Sequence, residues 1–262
     1  MPDSERMTNR GQGMDAGAVR YRIEVAYDGT AYFGWQVQPR HTTVQACIER
    51  AVAQITGETV KVHGSGRTDQ GVHARGQVAH FHLHKRMPPD ALKKGINALL
   101  PADIRILRAT RAKPDFHARR TATKKEYRYF IWNTEIREPS HRLYATHVRR
   151  PLDVAAMRAA AALLVGRHDF AAFTANPNRE VESTVREVRY LTVSKAGPLI
   201  TVRVASEGFL YKMVRSLCGL LIRVGEGAEK PEAVRAILES KIRTARVPTA
   251  PAEGLFLWRV WY

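Results

Sequence analysis

Residues 66–74 read Gly-Arg-Thr-Asp-Gln-Gly-Val-His-Ala and hold the most concentrated chemistry in the chain. A carboxylate, Asp69, stands two positions from a guanidinium, Arg67, and Gly64, Gly66 and Gly71 flank the group. Glycine has no Cβ, so such a loop can bring its backbone close to a ligand. An isolated loop aspartate is more often a turn former or helix cap, so Asp69 needs support from elsewhere. A second cluster is His80, His82 and His84, which alternate along one strand face. That pattern raises a metal site, but an exposed face toward a polyanion explains it equally, and no matching carboxylate spacing follows. No metal is expected there. Cys47 and Cys218 each stand alone in an apolar helical pattern and read as buried small hydrophobes in a reducing cytoplasm. No Cys-x-x-Cys pair exists, so the zinc deaminase signature is absent.

The elements that must position these groups follow from composition and periodicity. With 262 residues, 44% of them hydrophobic, the chain can bury a real core and suits two compact lobes. No window approaches the roughly 18 apolar residues of a membrane span. The most apolar stretch, 209–224, is broken by Lys212, Arg215 and Arg223. Residues 1–20 are polar and lack the apolar centre of a secretory signal. They read as a disordered tail, with Met7 or Met14 as alternative starts, and the expected location is the cytoplasm. The net charge of +17, from 42 Lys plus Arg against 25 Asp plus Glu, exceeds that of an average solvated surface and calls for a polyanionic partner. There is no polybasic block beside an amphipathic anchor, so nucleic acid is favoured over an anionic membrane. Binding should weaken steeply with salt as phosphate contacts release counterions.

Alternation predicts a strand over 21–27, ended by the turn Asp28-Gly29-Thr30. Thr42 or Thr43 caps a helix to about residue 56, with Val44, Cys47, Ile48, Ala51, Val52 and Ile55 on one stripe. A short strand over 60–63 leads into the Asp69 loop, and 77–84 alternates again. Pro88 and Pro89 open a helix to about residue 100, followed by a strand over 104–109. The second half gives a strand over 124–132, an exposed basic loop over 135–150 and a helix over 152–165. Strands over 185–193 and 199–205 then meet at a Lys-Ala-Gly-Pro turn. An apolar helix over 208–224, a helix after Pro231 and a strand over 255–261 complete the chain. The fold class is α/β (α+β), with mixed, largely antiparallel sheets flanked by helices and a cleft between the lobes. The division is a tail over 1–20, an N-terminal lobe over 21–112 and a C-terminal lobe over 113–262.

Five segments together resemble the tRNA pseudouridine synthase A family. The first is the Asp69 nonapeptide. The second is Tyr27-Asp28-Gly29-Thr30 followed by Phe33-Gly34-Trp35-Gln36. Phe116-His117-Ala118-Arg119 and Lys125-Glu126-Tyr127-Arg128-Tyr129 come next, then Phe209-Leu210-Tyr211-Lys212-Met213-Val214-Arg215. They occur in family order and span about residues 21–261. The resemblance implies the two-lobed pseudouridine synthase fold and isomerisation of uridine to pseudouridine in the tRNA anticodon stem-loop, at positions 38, 39 and/or 40. It implies a homodimer, with one tRNA contacting both subunits, and neither cofactor nor metal.

By the same resemblance, Asp69 is the essential carboxylate, acting either as nucleophile at the ribose or as base for its 2′ proton. Both roles need the ionised form, which a nearby cation favours. Arg215 is the matched cation. Set in an apolar helix, where an unpaired charge is costly, it calls for a buried partner, with Asp69 the candidate. Tyr127 stacks on the target base; strand geometry alone would admit Tyr129 on the same face. Arg67 accompanies extrusion of the nucleotide, filling the vacated space and holding phosphate. Asp28 and Gln36 would sit nearby, and His73 would support the loop. Basic, aromatic residues over 137–150 would grip the RNA backbone. The alternatives are a non-catalytic tRNA- or RNA-binding protein, indifferent to loss of Asp69, and a metal-dependent hydrolase built on the histidine strand, sensitive to chelators.

Overall fold

The computed structural model describes residues 17–175 and 182–262. The first half of the chain forms β1 (Val19–Tyr27), α1 (Val44–Thr56), β2 (His63–Gly64), β3 (His73–Leu83), α2 (Pro89–Leu99) and β4 (Ile104–Arg111). The second half forms β5 (Lys124–Asn133), β6 (Thr146–Val148), α3 (Val154–Leu163), β7 (Gly166–Asp169), β8 (Val185–Ala196), β9 (Leu199–Ser206), α4 (Met213–Gly225), α5 (Ala233–Ser240) and β10 (Leu255–Trp261). Ten strands make one sheet in the order β4-β1-β3-β10-β5-β9-β8-β7, with β2 beside β3 and β6 beside β5. All pairings are antiparallel except β10 with β3 and β5 with β6. Flanked by the five helices of the described residues, this is the mixed, largely antiparallel α+β arrangement expected.

The last strand joins the halves. Across the middle of the sheet, Ala74 of β3, Leu257 of β10, Tyr127 of β5 and Val204 of β9 lie in one row. The loop before β3 and the face of β5 are thereby brought together although they are far apart in sequence. Local chemistry explains the elements nearby. In β1, Tyr21, Ile23, Val25 and Tyr27 are buried and alternate with half-buried residues. Thr43 caps α1 by accepting from the Ala46 amide, and Gly57 closes it at φ +77°. Gly219 lets α4 lie directly on the 248–250 segment, because a Cβ there would collide with the Pro248 carbonyl oxygen.

Several boundaries differ from expectation. Residues 1–16 of the anticipated tail lie outside the described residues, but Val19 and Arg20 already belong to β1, paired with Leu83 and His82. Of the strand expected over 60–63, only His63 is extended, and it pairs with His80 alongside Gly64. The helix expected from residue 208 starts at Met213, because Lys212 takes a left-handed conformation at φ +55° and breaks the run before it. The basic stretch over 135–150 is not simply an exposed loop. It contains β6, and Trp132 stacks on His141 at 3.8 Å.

Candidate active site

The Asp69 loop is pinned from all sides. The Ser65 amide donates to the Val78 carbonyl (2.8 Å), and the Ser65 hydroxyl donates to Gln77 Oε1 (2.6 Å). Gln77 Nε2 returns a hydrogen bond to the Gly66 carbonyl (2.9 Å). Buried Thr68 shares its hydroxyl with that of Tyr27 (2.8 Å). The Trp35 amide donates to the Thr68 carbonyl (3.2 Å). Gly34, at φ +80°, allows this approach, since a Cβ there would strike the same carbonyl. The Phe33-Gly34-Trp35-Gln36 segment is therefore the loop's floor. The turn closes at Gly71, φ +76°, where the Val72 amide reaches the Asp69 carbonyl.

Asp69 and Arg215 meet although 146 residues separate them: Arg215 Nη1 donates to Asp69 Oδ2 at 3.1 Å. Arg215 Nε donates to the Ala250 carbonyl (2.7 Å), so the guanidinium is oriented by backbone before it reaches the carboxylate. The side chains are 14% and 24% exposed, which shields the pair from solvent but leaves the carboxylate reachable from the cleft. Tyr127 lines the same cleft and is nearly buried, with Phe209 packed edge-on against its ring at 5.2 Å. Burial, reinforced by Tyr27 and the Asp69 charge, pushes its phenol well above the ordinary range. Arg67 is exposed on the cleft wall and makes no ion pair among the described residues.

The cleft holds about 1540 Å³. That exceeds the roughly 300–1,000 Å³ of a small-molecule pocket and suits a groove for a polymer. Cations surround it: Arg67, Arg119, Arg120, Lys125, Arg167 and Arg186 all contribute. Gln36 is among its lining residues. Asp28 is not: its Oδ1 lies 3.1 Å from His73 Nδ1, and its Oδ2 accepts from the Tyr144 hydroxyl (2.7 Å). Burial pushes the Asp28 carboxyl up, but hydrogen bonds from Thr30 and Tyr144 and the nearby His73 outweigh it, and the net direction is down. His73 is fully buried, and burial lowers its pKa against the pull of Asp28. Its Nδ1 accepts from the Gly29 amide (3.0 Å), tying the Asp28 turn to the start of β3.

The histidine strand corrects an expectation. His80 is buried, His82 is half-buried and accepts from Arg20 Nε at 2.7 Å, and only His84 is exposed. The face is shut off from solvent at His80, where β2 and the 116–122 segment cover it: His63 stacks on His80 at 5.2 Å, and His80 Nδ1 accepts from the Ala118 amide. Among the described residues no group of three or more His, Cys, Asp or Glu is arranged to hold a metal. Nor is any helix among them long and apolar enough to cross a membrane. Sequence reasoning missed Gln77, Lys125 and Phe209 as parts of the site. Lys125 and Phe209 left signals, Lys125 two positions from Tyr127 on the same strand face and Phe209 at the head of the segment that ends at Arg215; Gln77 left none.

A family model described as tRNA pseudouridine synthase matches residues 23–119 and 160–262. The tRNA pseudouridine synthase A of Pelobacter propionicus is 46% identical over 241 residues, covering 92% of this chain and 98% of that protein. That of Moorella thermoacetica is 46% identical over 245 residues, with the same coverage. That of Brevibacillus brevis is 46% identical over 243 residues, covering 93% of this chain and 99% of that protein. Among solved structures, a chain from the crystal structure of a Cbf5-Nop10-Gar1 complex matches at 18% identity and a TM-score of 0.29, over 78% of this chain and 54% of that one, a likeness too loose to add weight. On the breadth of the sequence matches, this chain belongs to the tRNA pseudouridine synthase A family, and it is an isomerase of tRNA uridine.

Proposed function

We propose that the chain converts uridine to pseudouridine in the anticodon stem-loop of tRNA, at one or more of positions 38, 39 and 40, with Asp69 as the catalytic carboxylate. The observation that supports this most is the Asp69–Arg215 ion pair, set beside Tyr127 in a cationic cleft wider than a small molecule needs. The ribose C1′–N1 bond breaks, the base turns, and C1′ joins C5, with no net redox change. Asp69 either attacks the ribose or removes its 2′ proton, and Arg215 keeps the carboxylate aimed. Tyr127 stacks on the base and holds it through the turn. Arg67 reaches from the rim to hold phosphate and fill the space left by the extruded nucleotide. Neither a cofactor nor a metal enters this scheme.

In the same proposal the chain acts in the cytoplasm as a homodimer, residues 21–112 and 113–262 serve as its two lobes, and the 137–150 segment contacts the RNA. The position assignment is tested with unmodified tRNA transcripts that carry a single uridine at 38, 39 or 40. Pseudouridine mapped at one or more of these sites, and not elsewhere in the molecule, is the expected result. Modification confined to other positions would remove the stem-loop assignment while leaving the isomerase intact.

A further inference from the structure

Lys125 stands on β5 two residues before Tyr127 and lines the same cleft. Its one hydrogen bond among the described residues runs from Nζ to the Ser65 carbonyl oxygen, at 2.7 Å. An ammonium carries three donors, so two remain. Gly66 lies beside both side chains: a Cβ built there would lie 3.9 Å from Lys125 Nζ and 3.9 Å from Tyr127 Oη. The ammonium and the far end of the tyrosine ring thus flank the same bare stretch of backbone, three residues from Asp69. No carboxylate lies within ion-pairing distance of Lys125 among the described residues. A half-buried ammonium held by one neutral carbonyl is costly unless an oxygen bearing negative charge joins it.

We propose that Lys125 is a further catalytic residue, whose ammonium donates to a carbonyl oxygen of the target uracil and stabilises the negative charge that develops as the C1′–N1 bond breaks. This rests on the roles given above to Asp69 and Tyr127. The electron pair of that bond leaves with the uracil and spreads over N1 and the ring oxygens. C1′ is taken by the Asp69 carboxylate, or the 2′ proton passes to it. C5 then joins C1′ as the C1′–carboxylate bond breaks, or as Asp69 returns the 2′ proton; the C5 proton passes to solvent and N1 takes up a proton from it. Lys125 gains and loses no proton overall. Phosphate binding falls to the other cleft cations Arg67, Arg119, Arg120, Arg167 and Arg186, whereas Lys125 stands on β5 two residues from Tyr127.

The titration of this group supplies a readout. Burial lowers Lys125 to about 8, Arg119 adds to the shift and Glu207 opposes it. Asp69, Arg67, Tyr127, His63 and His117 line the same cleft, and Tyr27 stands behind it on Thr68. The two tyrosines are pushed well above their ordinary range and the two histidines below theirs, so none of these shifted groups changes charge near that pH. Lys125 is therefore charged below about 8 and loses its charge as pH rises through that value.

The test compares wild type, Lys125→Arg and Lys125→Met by release of tritium from uridine C5 in tRNA across pH 6 to 9.5, with tRNA binding measured separately. Lys125→Met should lower the single-turnover rate by about 10²-fold, the loss typical of one charge-stabilising donor, with binding nearly unchanged. Wild-type kcat/KM, which reports groups of the free enzyme, should decline with a midpoint of about 8. Lys125→Arg should keep most of the rate and abolish that decline. A lysine that only props up Ser65 would not produce this result, since a neutral amine still donates to a carbonyl. Three results would overturn the inference: a Met variant with the wild-type rate, a Met variant whose loss lies in tRNA binding, or an unchanged alkaline decline in the Arg variant. Absence of release from wild type at every pH would instead remove the underlying reading of Asp69, and this inference with it.

Discussion

Asp69 works from a loop, yet little about it is free to move. Ser65, Gly66 and Thr68 are each held by a side chain from another element, and Arg215 is itself held by Ala250 before it touches the carboxylate. This second layer fixes the carboxylate in place, as the role proposed for Asp69 requires. Tyr127 is different. Its ring is packed against Phe209, and burial holds its phenol protonated far above neutral pH, which favours the proposed stacking role of the ring over a chemical role of the hydroxyl. Tyr127→Phe should leave tRNA binding intact and lower tritium release by less than about tenfold, well short of the 10²–10⁴ that a general base contributes. Complete loss of release from this variant would assign the hydroxyl a chemical role.

At the scale of elements, β3 bears most of the design, and it was the hardest to read. Alternation located the strand and placed its histidines on one face, but alternation cannot say which face is covered. The covering comes from β2 and the 116–122 segment, joined to β3 by the His63–His80 stack and the Ala118–His80 hydrogen bond. The start of α4 was also illegible, because the left-handed Lys212 has no sequence signal comparable to a glycine. By contrast, β1, α1 and α2 were legible from alternation, from Thr43 and Gly57, and from Pro88 and Pro89.

Burial of His80 has a measurable consequence. Its surroundings lower its pKa from 6.5 to about 3, through burial first and then the neighbouring His117, His63, Arg20 and His82. The unfolded chain takes up this proton near 6.5 and the folded chain only near 3, so the stability His80 contributes is fully present above 6.5 and is lost as pH falls toward 3. The limiting slope for one such group is about 1.4 kcal/mol per pH unit. Urea unfolding of wild type and His80→Gln across this range should give a shallower acid dependence in the variant. Parallel profiles would mean that His80 does not stay neutral in the folded chain.

For the whole molecule, one sheet brings distant segments to a single cleft, and β10 is the strand that closes it, between β3 and β5. Asp69, Tyr127 and Arg215 were legible because each sits in a motif that resembles the family's. Gln77 was not, since it matters only through contacts that folding creates, and Lys125 and Phe209, although they stand in those motifs, show their place in the cleft only once the chain is folded. The net charge of +17 announced a polyanion but could not point to the cationic cleft proposed to receive it. The central claim, that this cleft isomerises tRNA uridine through Asp69, is tested most directly with unmodified tRNA tritiated at uridine C5, comparing wild type with Asp69→Asn in the presence of chelator. Joining C5 to C1′ must expel the label into water. The account predicts release by wild type and none by the variant, with salt-sensitive tRNA binding kept by both. Release that persists in Asp69→Asn, or tRNA bound by wild type without any release, would contradict it.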